Sequence, residues 1–123
     1  MRRFLSLVVV LLAACASQDA ITLDGTKWTL ADSPAITLQF ADGRASGSGG
    51  CNQYNATYTA SGSALTFGPI ASTKRACLED DRNRQEVAYF EALSKVASYS
   101  MTADRLTLRD AAGATLLEFT PSR

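Results

Sequence analysis

Gly47-Ser48-Gly49-Gly50-Cys51-Asn52-Gln53-Tyr54-Asn55 is the stretch on which the fold turns. It holds three glycines, two asparagines and one of the three cysteines, and it lies between two alternating runs that read as strands. Glycines gathered at a strand end mark a bulge, a tight turn or a close backbone approach. Cys51 ties that turn to a distant part of the chain, and Cys77 is its partner by position.

Upstream, Ile36-Thr37-Leu38-Gln39-Phe40 alternates apolar and polar side chains, the period of a half-buried strand. Asp42-Gly43 then marks a hairpin, and residues 44–50 return as a strand of small residues. Earlier still, Lys27-Trp28-Thr29-Leu30 alternates, with the single tryptophan read as a core anchor. Downstream, strands are expected from Tyr54 to Thr59 and over Leu65-Thr66-Phe67, with a turn at Ser61-Gly62-Ser63. Further strands follow from Ser98 to Thr102, over Leu106-Thr107-Leu108 and from Thr115 to Phe119. Between the two sets the period changes. Cys77-Leu78-Glu79-Asp80-Asp81 reads as a helix start, with acids at the positive end of the dipole. Val87, Phe90, Leu93 and Ala97 would form the apolar stripe of a helix of about 15 residues. The acidic run lacks the spacing of a calcium loop.

The N-terminus carries an address. Met1-Arg2-Arg3 is basic, Phe4 to Leu12 is apolar apart from Ser6, and Leu12-Ala13-Ala14-Cys15 follows. The apolar run falls short of the ~20 residues that span a bilayer, and the order of charge, apolar core and small residues is that of a secretory signal. The last four residues resemble a bacterial lipobox, which implies removal of residues 1–14 and lipid attachment at Cys15. Residues 15–22 would be a tether and residues 23–121 the domain. Acylation contributes about 0.8 kcal/mol per buried methylene, so several chains on one residue hold firmly. Ala16 and Ser17 stand where an Asp would favour the inner membrane, so the expected location is the periplasmic face of the outer membrane.

The whole chain balances 12 Lys+Arg against 12 Asp+Glu. Loss of Arg2 and Arg3 with the signal leaves 10 against 12, a net charge of −2. That balance argues against nucleic acid as a partner. Removing 14 residues from 123 leaves 109, one domain with a modest core.

Catalytic groups are scarce. The chain has no histidine, which removes Ser-His and Cys-His nucleophiles and the commonest zinc ligand. With Cys15 acylated, Cys51 and Cys77 are the remaining thiols, 26 positions apart and so no C-x-x-C redox pair. In an oxidising compartment they read as a structural disulfide, the alternative being a free reactive thiol. The glycine block lacks the Lys-Ser/Thr ending of a phosphate loop. Neither a catalytic residue, nor a metal ligand, nor a cofactor is expected.

Taken together, several blocks resemble the META domain family of HslJ-like heat-inducible lipoproteins. They are residues 24–30 (Asp-Gly-Thr-Lys-Trp-Thr-Leu), residues 47–58 from Gly47 to Tyr58, residues 70–77 (Ile-Ala-Ser-Thr-Lys-Arg-Ala-Cys), residues 106–110 and residues 116–119. The resemblance runs from about Leu23 to Phe119. Ala56 stands where the family often has glycine, and Arg75 where methionine is common. Trp28, Gly50, Asn52 and Tyr54 fall on the family motif and are read as structural. The resemblance implies an α+β, mainly β fold: an antiparallel meander forming an incomplete β-barrel with one amphipathic helix packed across it. It implies a non-enzymatic envelope role linked to heat stress and novobiocin resistance. Similarity to the cracked barrels of secretin pilot lipoproteins adds a second possible role, binding an apolar ligand or peptide. Small disulfide-bearing barrel lipoproteins that block lysozymes supply a third, inhibition of a secreted enzyme. The expected partners are the membrane, through Cys15, and an envelope protein or apolar ligand.

Overall fold

A computed structural model describes residues 22–122. Cys15, the signal segment and most of the tether lie outside the described residues. The described residues form nine strands and one helix. In order they are β1 Lys27–Leu30, β2 Thr37–Ala41, β3 Arg44–Ser48, β4 Gln53–Ser61, β5 Ala64–Phe67, β6 Ala71–Ser72, α1 Asp80–Ser94, β7 Ser98–Met101, β8 Leu106–Arg109 and β9 Thr115–Pro121.

All pairings are antiparallel. The sheet runs β3-β2-β1-β9-β8-β7-β5-β4, and β4 pairs back onto β3, which closes eight strands into a barrel. The expected antiparallel barrel with one helix is what the chain forms. Its incompleteness is confined to one seam: β5 and β7 share the single pair Ala64–Ser98. Two backbone hydrogen bonds flank it, Leu65 N–H to Ala97 O at 3.1 Å and Tyr99 N–H to Ser63 O at 2.9 Å. β6 is short and continues the β5 side of β4, pairing Ser72 with Tyr54 and Ala71 with Asn55.

Alternation places the core. Trp28, Leu38, Phe40, Ala45, Tyr54, Ala56, Leu65, Leu106, Leu108 and Phe119 point inward and are buried. Leu30, Phe67, Phe90 and Leu117 pack against them as partly buried neighbours. Asp42-Gly43 makes the β2–β3 hairpin with positive φ at both residues, 53° and 76°, as a type I′ turn requires.

The helix crosses the barrel end at which β3 finishes and β4 begins. Its buried residues are Glu86, Tyr89 and Leu93. Val87, expected on the apolar stripe, is instead 66% exposed. The physical reason lies at Glu86. Backbone N–H groups of the glycine turn bind its carboxylate, and that contact rotates the helix so that 86, 89 and 93 face the barrel. Leu78, before the helix, is also fully exposed.

Candidate functional site

The opening glycine stretch forms a polar knot that fastens α1 to the barrel. Cys51 and Asn52 donate their backbone N–H groups to Glu86 Oε2 at 2.9 and 2.6 Å. Asn52 Nδ2 donates to Glu86 Oε1 at 2.6 Å. The same side chain holds the loop before the helix: its Nδ2 donates to Arg75 O at 2.8 Å, and its Oδ1 accepts from Arg75 N–H at 2.6 Å. Thr73 Oγ1 donates a second hydrogen bond to Oδ1 at 2.9 Å. Asn83 does the same for Cys77, accepting from its N–H at 3.0 Å and donating to its carbonyl at 2.9 Å. Cys51 and Cys77 are joined as a disulfide with Cα atoms 5.5 Å apart.

Each motif residue therefore has a mechanical task. Gly50 turns the chain at φ 107°, a region that favours glycine. Gly49 is buried against the helix, where an added Cβ would lie 2.7 Å from Glu86 Oε2 and 2.9 Å from Phe90 Cζ. Tyr54 donates to Thr37 O at 2.7 Å, so Tyr89, 2.6 Å away, must be the donor between the two hydroxyls. Burial raises both tyrosines well above the ordinary phenol range. Trp28 is buried, and its Nε1 donates to Thr26 Oγ1 at 2.8 Å.

Such a knot is occupied with itself. Among the described residues no buried side-chain nitrogen or oxygen lacks a partner, and no cluster of three or more Cys, Asp or Glu could hold a metal. A carboxylate already bound by three N–H donors is a fastening, since it has no open approach for a substrate.

Sequence reasoning missed Glu86 and Tyr89. The signal was present: Glu86 is an acid spaced three and seven positions from Tyr89 and Leu93, on one face of the helix. An acid on an apolar stripe calls for buried donors, and the glycine turn supplies them.

One surface open to a ligand is a groove beside the knot. It lies between α1 and strands β1 and β9, encloses about 240 Å³, and is walled by Leu30, Ile36, Ala88, Ala92, Leu116 and Leu117. Gln85 and Tyr89 complete it, and no charged residue lines it. Two details of the chain create this space. Ala88 and Ala92 stand one turn apart on the helix and leave room a larger side chain would fill. A bulge sets Thr115 opposite Arg109 and Leu117 opposite Leu108, so Leu116 is the extra residue. Strict alternation would send Leu116 and Leu117 to opposite faces; across the bulge both reach the groove.

A model of the META domain matches residues 17–123. The chain belongs to the META domain family. Its disulfide, glycine turn and tyrosine pair are thus the framework of a META domain. An NMR structure of a protein from Burkholderia xenovorans is similar at 30% identity and a TM-score of 0.64, covering 81% of this chain and 83% of that one. A second NMR structure, 24% identical, superposes at a TM-score of 0.62 over 80% of this META chain and 91% of its own. The crystal structure of a DUF4847 family protein from Bacteroides vulgatus, 17% identical, shares the fold at 0.59 over 80% and 93%. Curated proteins of known role yield no match.

Proposed function

We propose that this META domain is a non-catalytic, lipid-anchored module of the bacterial envelope that holds an apolar segment of an envelope partner and stabilises it under stress. The groove between α1 and β9 carries the reading. It is concave, uncharged and largely pre-formed by the bulge and the two alanines, which is the character of an apolar ligand site. The self-satisfied knot supports a binding role over a catalytic one. The lipobox at Leu12 to Cys15 supports the anchor, and Ala16-Ser17 supports the periplasmic face of the outer membrane.

The groove is tested with a fluorophore-labelled apolar peptide. Saturable one-to-one binding is expected, and Ala88→Phe, which fills the groove from an exposed helix position, should abolish it with the melting temperature unchanged. Equal binding by Ala88→Phe would place the peptide elsewhere and refute the groove. The anchor is tested separately: Cys15→Ala should shift the protein out of the outer-membrane fraction, and unchanged attachment would refute it.

One feature favours a second reading, inhibition of a secreted enzyme. Residues 73–79 form an irregular loop fastened at Arg75 and Cys77, and Leu78 projects from it fully exposed. Inhibition of a muramidase that Leu78→Asp abolishes would select this reading; no inhibition by the intact chain would remove it.

A further inference from the structure

A second cleft opens at the other end of the barrel, where β1 begins and β4 finishes. It encloses about 360 Å³ and is lined by Leu23, Asp24, Tyr58 and Tyr99, with Thr22 beside them. The cleft exposes more polar surface than the groove, including one carboxylate. Asp24 Oδ1 accepts from the Tyr58 hydroxyl at 3.0 Å and, more loosely, from Gly43 N–H at 3.4 Å. Among the described residues no Lys or Arg pairs with Asp24, and none lines the cleft. Partial burial, then the hydrogen bond from Tyr58 to Asp24, then the charges of Asp24 and Asp42 push the Tyr58 hydroxyl up to about 12. The site is therefore a carboxylate with no cationic partner, hydrogen-bonded to Tyr58 and sharing its cleft with Tyr99. That is the chemistry that takes an organic cation, through charge on one side and ring faces on the other.

Position narrows the cation. Thr22 lies seven residues after Cys15. Seven residues span at most about 25 Å, so lipid attachment at Cys15 would keep this barrel end close to the bilayer surface. Tyrosines are enriched at that depth because an apolar ring and a polar tip suit it.

We propose that the Asp24–Tyr58–Tyr99 cleft binds a primary ammonium group, and that its occupant is the phosphoethanolamine headgroup of the membrane holding the chain. The ammonium enters the cleft to meet Asp24, and the phosphate stays outside in water. The choice of occupant rests on the anchor proposed above; the ammonium site does not. One exposed carboxylate and two rings give a weak site, with a dissociation constant on the order of 1 mM for the free headgroup. A short tether supplies effective concentrations of the same order, roughly millimolar. Binding would then orient an already anchored protein, with the helix and its groove turned toward the periplasm.

The experiment uses the lipid-bearing chain in non-ionic detergent, following the Tyr58 and Tyr99 ring resonances during titration with O-phosphoethanolamine. A saturable shift is expected, with none from inorganic phosphate. Asp24→Asn keeps an Oδ1 acceptor for Tyr58 and should weaken binding about two- to fivefold. Should that variant misfold, Tyr99→Leu gives the same readout. No saturable shift, or an equal response from the variants, overturns the site. Tighter binding of Nα-acetyl-lysine amide overturns the lipid in favour of a basic protein segment. Headgroup binding by a chain whose native form does not fractionate with membranes removes the anchor, and the lipid occupant with it, while the ammonium site stands.

Discussion

At the scale of the residue, the structure turns on a carboxylate used as a building part. Glu86 is buried and accepts three N–H bonds from Cys51 and Asn52. Hydrogen bonds to charged groups contribute about 1.5–3 kcal/mol each, and a buried donor left unpaired costs about 1–3. Glu86→Ala should therefore destabilise the fold by at least about 3 kcal/mol, read from chemical denaturation. A loss under about 1 kcal/mol would mean that water replaces the carboxylate. The paired hydroxyls of Tyr54 and Tyr89 make a pH prediction. Both have folded values raised above the ordinary 10 by burial. A raised value means the folded state keeps the proton where the unfolded chain gives it up. Their contribution is fully present below about pH 10 and is lost as pH rises from there toward the folded values. Stability should fall steeply above about pH 10, and Tyr89→Phe should flatten that slope at a neutral-pH cost of about 1 kcal/mol.

At the scale of the element, the helix separates what its sequence implies from what packing decides. Leu93 is buried and Val87 is not. Leu93→Ala should cost about 2–5 kcal/mol, and Val87→Ala should fall within about 0.5; thermal melts of the two variants decide the phase of the helix. The disulfide sits at the same helix's start. Loop entropy for 26 residues gives it roughly 3.5 kcal/mol, so reduction should lower the melting temperature by more than about 10 °C. The strands were legible because alternation is a local property: Ile36 to Phe40 and Leu106 to Leu108 declare their inner faces without reference to a partner. The helix phase was not, because Val87 and Tyr89 are both apolar enough to face inward. What chooses between them is Glu86 and the turn 35 residues earlier that binds it. β6 is two residues long, too short for any period to show. The groove was illegible for a similar reason, since the bulge opposite Leu108 and Arg109 is a mismatch between two strands and is written in neither alone.

At the scale of the whole molecule, the barrel has one weak seam. β5 and β7 meet through a single pair, whereas β3 and β4 share five. Openings in a fold begin where ladder bonds are fewest. The amides of Leu65 and Tyr99 should thus exchange with deuterium faster than those of β2 and β3, which hydrogen-exchange NMR resolves. Equal protection on both sides of the ring would show that the helix end, with Leu93 and Val96 buried beside β5, holds the seam shut.

The closed ring has one more consequence. An open sheet ends in a row of unpaired N–H and C=O groups, and such a row recruits further chains into fibres and amorphous deposits. Here that row is consumed by the pairing of β3 with β4, and the outer flank of β6 offers only two residues. Copies gathered at high density would meet as closed cylinders with few free strand edges to splice onto one another. The topology acts as a colloidal safeguard, keeping crowded copies of the molecule dispersed where open sheets would set.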